Sequence, residues 1–175
     1  MAQAAPFSRR YQVRGTAALL REIEQDRAAL AEAIAAGGAD SESLIRMRLG
    51  FDLIPIDREA EAVIHLEAAL ALAPKQANRA REIEVLLYLG TARQYLGERA
   101  KALELFREGI EVAQSTEIFD QVHFLLHHRG RCLVEMNRFA EARHDFEQAL
   151  LLREKIGEPR FINSSRAALK DIEGR

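Results

Sequence analysis

The chain has 175 residues, 48% of them apolar and 30% charged, with a net charge of −2. That apolar share can build a packed core and excludes wholesale disorder, while so weak a net field gives no argument for nucleic acid. The single cysteine, Cys132, excludes an internal disulfide and a multi-cysteine zinc site. No apolar run reaches membrane-spanning length, and the start of the chain lacks the apolar core of a secretory signal. A cytoplasmic protein is expected. Prolines number only four, and Ala, Leu, Glu and Arg are abundant, a composition that favours an all-α fold.

Residues 1–15 read as a disordered basic lead-in, with Pro6 and Gly15 as breakers. Arg9, Arg10, Arg14 and Arg21 give the first 21 residues +4 and leave −6 for the remainder. A helix is predicted over 16–36, where Leu19, Ile23, Leu30 and Ile34 share one stripe and Glu24, Gln25 and Glu32 lie away from it. Gly37-Gly38 ends it, and Asp40 or Ser41 can cap the next helix.

A repeat then sets the architecture. Gly50, Gly90 and Gly130 are 40 residues apart. Twelve residues after each comes Ala62, Ala102 or Ala142, and sixteen after comes Leu66, Phe106 or Phe146. Nineteen after comes Ala69, Gly109 or Ala149, followed at once by Leu70, Ile110 or Leu150. A small residue lets two helix backbones approach, and the large one fills the space beside it. Helix pairs are predicted at about 42–54 with 58–73, 77–96 with 98–113, and 118–136 with 138–156, then a last helix at about 161–173. Pro55 forms the first turn with Asp57 as a plausible cap, Gly97 forms the second, and Gln114-Ser115-Thr116 makes a polar turn between pairs. Ile162, Leu169 and Ile172 give the last helix one apolar face, as a terminal cap requires.

The pattern Leu49-Gly50…Ala62…Leu66…Ala69…Pro74, with Leu89-Gly90…Ala102…Phe106…Gly109 and Gly130…Ala142…Phe146…Ala149, resembles the tetratricopeptide repeat family. Arg129 stands where the family has Leu, only the first repeat keeps the closing Pro, and the period of 40 exceeds the common one of about 34. The longer period resembles the variant of kinesin light chains and bacterial regulators, and 151–159 looks like its inter-repeat turn. The resemblance implies a right-handed superhelical α-solenoid forming one domain over 16–175. Its repeats fall at about 43–76, 83–116 and 123–156, with 16–36 and 160–173 as caps.

The resemblance also implies a concave groove lined by the first helix of each pair. Carried over by position, that face holds Arg48 and Phe51, then Tyr88, Thr91, Gln94 and Tyr95, then Phe124, His127, His128 and Arg131. Such a set suits a peptide with an acidic or carboxylate group, which arginine holds through its planar fork. Phe51 and Phe124 are the two with a competing place, packed under the caps. A C-terminal carboxylate clamp of the family's Lys/Asn type is disfavoured, because Met47, Phe51, Leu87, Thr91, His127 and Arg131 stand at those places.

Other chemistries find weaker support. His123 and His127 share a helix face with Asp120 nearby, but the pair lacks the intervening Glu of the metalloprotease helix. A solvent- or groove-facing histidine patch, titrating near neutrality, is the expectation. His128 is four residues before Cys132, yet a nucleophile needs an orienting group and an opening as well, so Cys132 is expected as a buried thiol. No phosphate loop and no nucleophile elbow are present. The function expected is a non-catalytic protein-interaction adaptor or regulator, with no cofactor, metal, nucleic acid or membrane. The alternatives are a self-associating scaffold and a metal- or thiol-dependent enzyme.

Overall fold

A computed structural model describes residues 16–72 and 78–175. The lead-in at 1–15 and Pro74 lie outside the described residues. The eight α-helices among the described residues are α1 (Thr16–Ala35), α2 (Ala39–Leu53), α3 (Glu59–Leu72), α4 (Arg79–Tyr95), α5 (Arg99–Thr116), α6 (Val122–Glu135), α7 (Phe139–Ile156) and α8 (Pro159–Asp171). A single 3₁₀ turn over Ile54–Ile56 joins α2 to α3, and no strand occurs among the described residues.

The turns repeat as strictly as the helices. Asp57, Gly97 and Asn137 are 40 residues apart, and all three have left-handed backbone at φ 61°, 83° and 59°. These are the residue types that tolerate that conformation, because Gly has no Cβ and Asp or Asn can bond locally. Asp57 is thus the left-handed residue that ends the 3₁₀ turn. Asp40 and Ser41 fall inside the first turn of α2, and Gly38 stands at its N-cap without a side-chain bond. Asp40 accepts instead from Arg81 of α4 at 2.6 Å. Asn78 caps α4, its Oδ1 accepting from the Arg81 N–H at 3.1 Å.

Within each pair the glycine faces the large residue sixteen positions on. A Cβ on Gly50 would lie 2.3 Å from Leu66, and one on Gly90 or Gly130 would lie 2.6 Å from the ring of Phe106 or Phe146. The backbones therefore approach to a distance that only glycine permits. Ala62, Ala102 and Ala142, with Ala69 and Ala149, are fully buried in the same interfaces. Successive helices pack on one another, and α4 also touches both α2 and α6. The first helices of the pairs thus form an inner row and α3, α5 and α7 an outer one, the arrangement of an α-solenoid of helix pairs.

Arg129, the departure from the Leu of the other repeats, forms a bidentate pair with Asp145 of α7 at 2.7 Å for both bonds. The corresponding positions of the preceding repeat are Leu89, buried, and Leu105, packed against the same core cluster. An ion pair has replaced an apolar contact at one place in the fold.

The two ends differ from expectation in detail. On α1, Ile23 and Leu30 are buried but Ile34 is exposed, and Asp26 is buried in its place. Gly37, at φ 69°, lies 80 residues before left-handed Glu117 and 120 before left-handed Gly157. Ala29 and Leu30 match Ala69 and Leu70 in register. The helix α1 therefore stands in the place of a second helix of an earlier pair, with Asp26 where Leu66, Phe106 and Phe146 recur. At the other end, α8 buries Ser165 and Ala168, small residues that bring it close to α7, with Ile172 buried just beyond it.

Candidate functional site: a cavity on the inner row

The inner helices and α8 enclose a cavity of about 310 Å³. Phe51, Ile54 and Pro55 come from the end of α2 and its turn, Leu87, Tyr88 and Thr91 from α4, Gln121, Phe124 and His128 from the α6 region, and Arg160 and Phe161 from α8. Half of the ten residues expected in a groove therefore meet here. The rings of Phe51 and Tyr88 lie 4.8 Å apart, tilted by 49°. Those of Phe124 and Phe161 meet edge-on at 4.9 Å. Aromatic pairs at such offsets gain more than their buried area alone. Phe124 does pack against the terminal helix, whereas Phe51 stays 42% exposed.

The polar groups of the wall are few and oriented. The Thr91 hydroxyl donates to the Leu87 carbonyl at 2.8 Å, an acceptor one turn back on the same helix. Its oxygen is also 3.1 Å from Nδ1 of His128. A hydroxyl has one proton. With that proton on Leu87, the ring must donate, so His128 is the Nδ1–H tautomer and Nε2 is a bare acceptor. At the rim, the Arg160 guanidinium sits 4.4 Å over the Phe161 ring, within cation–π range.

Beneath the cavity lies a second arrangement that sequence reasoning missed. Arg153 of α7 is buried and donates to Nδ1 of His123 and Nδ1 of His127, each at 3.2 Å. It also donates to the Phe161 carbonyl at 3.1 Å and the Ser165 hydroxyl at 2.9 Å. Arginine can only donate, so both histidines accept at Nδ1 and carry their proton on Nε2. For His127 that proton points to Ser164 Oγ at 3.3 Å. One guanidinium thus ties α6, α7 and α8 together.

Of the expected histidine patch only His128 faces the cavity, and none of the three titrates near neutrality. His123, His127 and His128 are all buried. Burial, reinforced by the Arg153 charge, pushes their pKa values down to about 4, 2 and 3 respectively, with the Arg131 charge adding to the effect on His127 and His128. They stay neutral through the physiological range. The space between His123 and His127, where a shared metal would sit, is occupied by a cation of the protein itself. Arg153 stands 40 residues after the fully buried Ala113. A long cationic residue at the register of a buried alanine was the signal that could have found it.

The remaining expected residues fall elsewhere. Arg48 reaches α1 and pairs with buried Asp26 at 2.8 Å. Gln94 is buried and donates to Glu135 at 2.8 Å. Tyr95 packs on the first core cluster, and Arg131 is buried beside the histidines. None of Arg48, Gln94, Tyr95, His127 and Arg131 lines the cavity. Cys132 is fully buried, its thiol donating to the Arg99 carbonyl at 3.5 Å, and burial pushes its pKa up to about 12. A thiol so poorly ionised is a weak nucleophile.

Residues 123–156, the helix pair α6–α7, match the tetratricopeptide repeat family. The chain is also 29% identical over 101 residues to response regulator aspartate phosphatase A of Bacillus subtilis (strain 168), an alignment covering 58% of this chain and 26% of that protein. The chain thus spans about a quarter of that relative's length. Residues 123–156 thus match the tetratricopeptide repeat, and the glycine contact and left-handed turn of that pair recur at the same positions in the two pairs before it.

Proposed function

We propose that this chain is a non-catalytic protein-interaction module that holds a segment of another protein in the cavity of its inner row, in an adaptor or regulatory role. The observation that carries the reading is the cavity itself. Its wall is apolar and aromatic, Phe51 is open to the surroundings, and a few polar groups converge on it. The family's use of repeats for protein recognition supports it further. A non-catalytic role is supported by the chemistry around the cavity: the histidines are neutral and bonded, and the one thiol is held protonated. A cytoplasmic setting belongs to the same proposal, and no helix among the described residues is long and apolar enough to cross a membrane.

The relative's name favours one narrower reading, in which the partner is a response regulator. It rests on that name and on the 101-residue alignment.

Affinity capture from native lysate with three baits tests the proposal. The baits are the unaltered chain, Phe51→Glu in the cavity wall and Ile64→Glu on the outer row, where Ile64 is 65% exposed. The reading expects a partner retained by the first and third baits and lost with the second. Equal capture by Phe51→Glu, at unchanged helicity, would overturn it.

A further inference from the structure

The cavity's polar groups define what it can hold. Its wall contains no acidic residue. His128 is tethered through Nδ1 to Thr91, which leaves its Nε2 lone pair without a hydrogen-bond partner among the described residues. Arg160 lies at the rim on the Phe161 ring, and no carboxylate pairs with it among the described residues. An apolar anchor that filled the space without a donor would leave the Nε2 lone pair buried and unsatisfied, which is costly. An anchor with a donor at its far end would satisfy it, and an adjacent carboxylate would find a cation at the mouth.

We propose that the occupant is a tyrosine side chain of a partner segment, its ring between Phe51, Tyr88 and Phe124, its phenolic O–H donated to Nε2 of His128, and a neighbouring acidic group held by Arg160. This rests on the reading of the cavity as the partner-binding surface and adds the chemistry of the anchor. Tyrosine fits because its donor lies at the tip of a flat apolar body. Phosphorylation of that tyrosine would abolish binding, since Nε2 offers no proton to a phosphate and the cavity wall offers no cation at that depth. His128 stays neutral well below neutral pH, so the preference should hold unchanged between pH 5 and 8.

The probes are 3-(4-hydroxyphenyl)propanoate, 3-phenylpropanoate and phenyl-phosphorylated 3-(4-hydroxyphenyl)propanoate, titrated into the full chain and followed by amide and histidine NMR shifts. The hydroxylated probe is expected to shift cavity resonances and to bind about fivefold tighter than 3-phenylpropanoate, the gain of one hydrogen bond. The phosphorylated probe should not bind. His128→Phe should abolish the hydroxyl preference. Arg160→Gln, at an exposed position where folding is not at stake, should weaken the two unphosphorylated probes about equally while leaving that preference intact. Equal binding of the two unphosphorylated probes, shifts confined to residues away from the cavity, or no binding at all would overturn the inference. If capture depends on Phe51 while the hydroxyl preference is absent, only the tyrosine assignment fails. If capture is also indifferent to Phe51→Glu, the cavity reading fails with it.

Discussion

Arg153 and His127 face each other as a buried cation and a neutral base, with the guanidinium donating to Nδ1 over 3.2 Å. The pair explains why a row of histidines on an inner helix is not a pH sensor of the usual kind. Burial disfavours charge on the rings first, and a positive charge already present at the site adds to it. It also explains how the last helix is held, because the same guanidinium reaches the Phe161 carbonyl and the Ser165 hydroxyl of α8.

Removing that cation should loosen the terminal helix. Arg153→Leu leaves two imidazole acceptors, a carbonyl and a hydroxyl without their donor, and hydrogen bonds to charged groups are worth about 1.5–3 kcal/mol each without being additive. A loss of about 3 kcal/mol is expected in denaturant unfolding. Histidine NMR should separate this from a general packing defect: the His127 ring, silent to mild acid in the native chain, should begin to titrate closer to its ordinary range.

Acid should destabilise the fold earlier than carboxylates alone would dictate. The three histidines have native pKa values below the unfolded value of 6.5. The unfolded chain therefore binds more protons than the native one between pH 6.5 and about 4. Stability from this source is complete above pH 6.5 and is lost as pH falls, at up to about 1.4 kcal/mol per pH unit for each histidine. Urea midpoints measured from pH 7.5 to 4.5 should fall through that window. A flat profile would show that the rings are protonated in the fold.

At the opposite end, Asp52 has the reverse sign. Burial, with Asp26 and Glu22 nearby, raises its pKa from 3.8 to about 6, Arg48 opposing. Its ionisation is therefore unfavourable to the fold above pH 6 and without effect below about 4. Asp52→Asn should stabilise the protein by about 1 kcal/mol at pH 7, after allowance for its partial exposure. The gain should vanish at pH 4, so paired melts at the two pH values decide the matter.

Gly90 tests the close approach of the repeats. Alanine is favoured over glycine in a helix by about 1 kcal/mol, yet its Cβ would lie 2.6 Å from the Phe106 ring. Overpacking of this kind costs about 1–3 kcal/mol, so Gly90→Ala should lower the melting temperature despite the better propensity. Gly97→Ala should also destabilise, for a different reason: space is open there, but its φ of 83° is strained for a side chain.

What could be read from the residues alone follows from these contacts. The spacing of Gly50, Gly90 and Gly130 from Leu66, Phe106 and Phe146 announced the helix pairs because it records direct packing within one repeat. The third turn, at Asn137, was legible in principle from the same period but lacks the glycine that marks Gly97. Register alone could not place Arg48, which meets Asp26 of α1, or His127, which meets a guanidinium from the end of α7. The first contact crosses from a repeat to the helix before it, and the second, though inside one repeat, uses a cation that stands where the preceding repeat has Ala113. Phe51, Tyr88, Thr91, Phe124 and His128 came together because their positions share the inner face. Arg160 and Phe161 were missed because a terminal helix reads as a cap, whatever else it lines.

The central claim is that partners meet the inner cavity and not the outer row. Site-specific photocrosslinking in the native cell tests it most directly, with a photoreactive phenylalanine at Phe51 in one strain and at Ile64 in another. The account predicts a discrete crosslinked protein from position 51 and none from position 64. The same adduct from position 64, with position 51 blank, would contradict it.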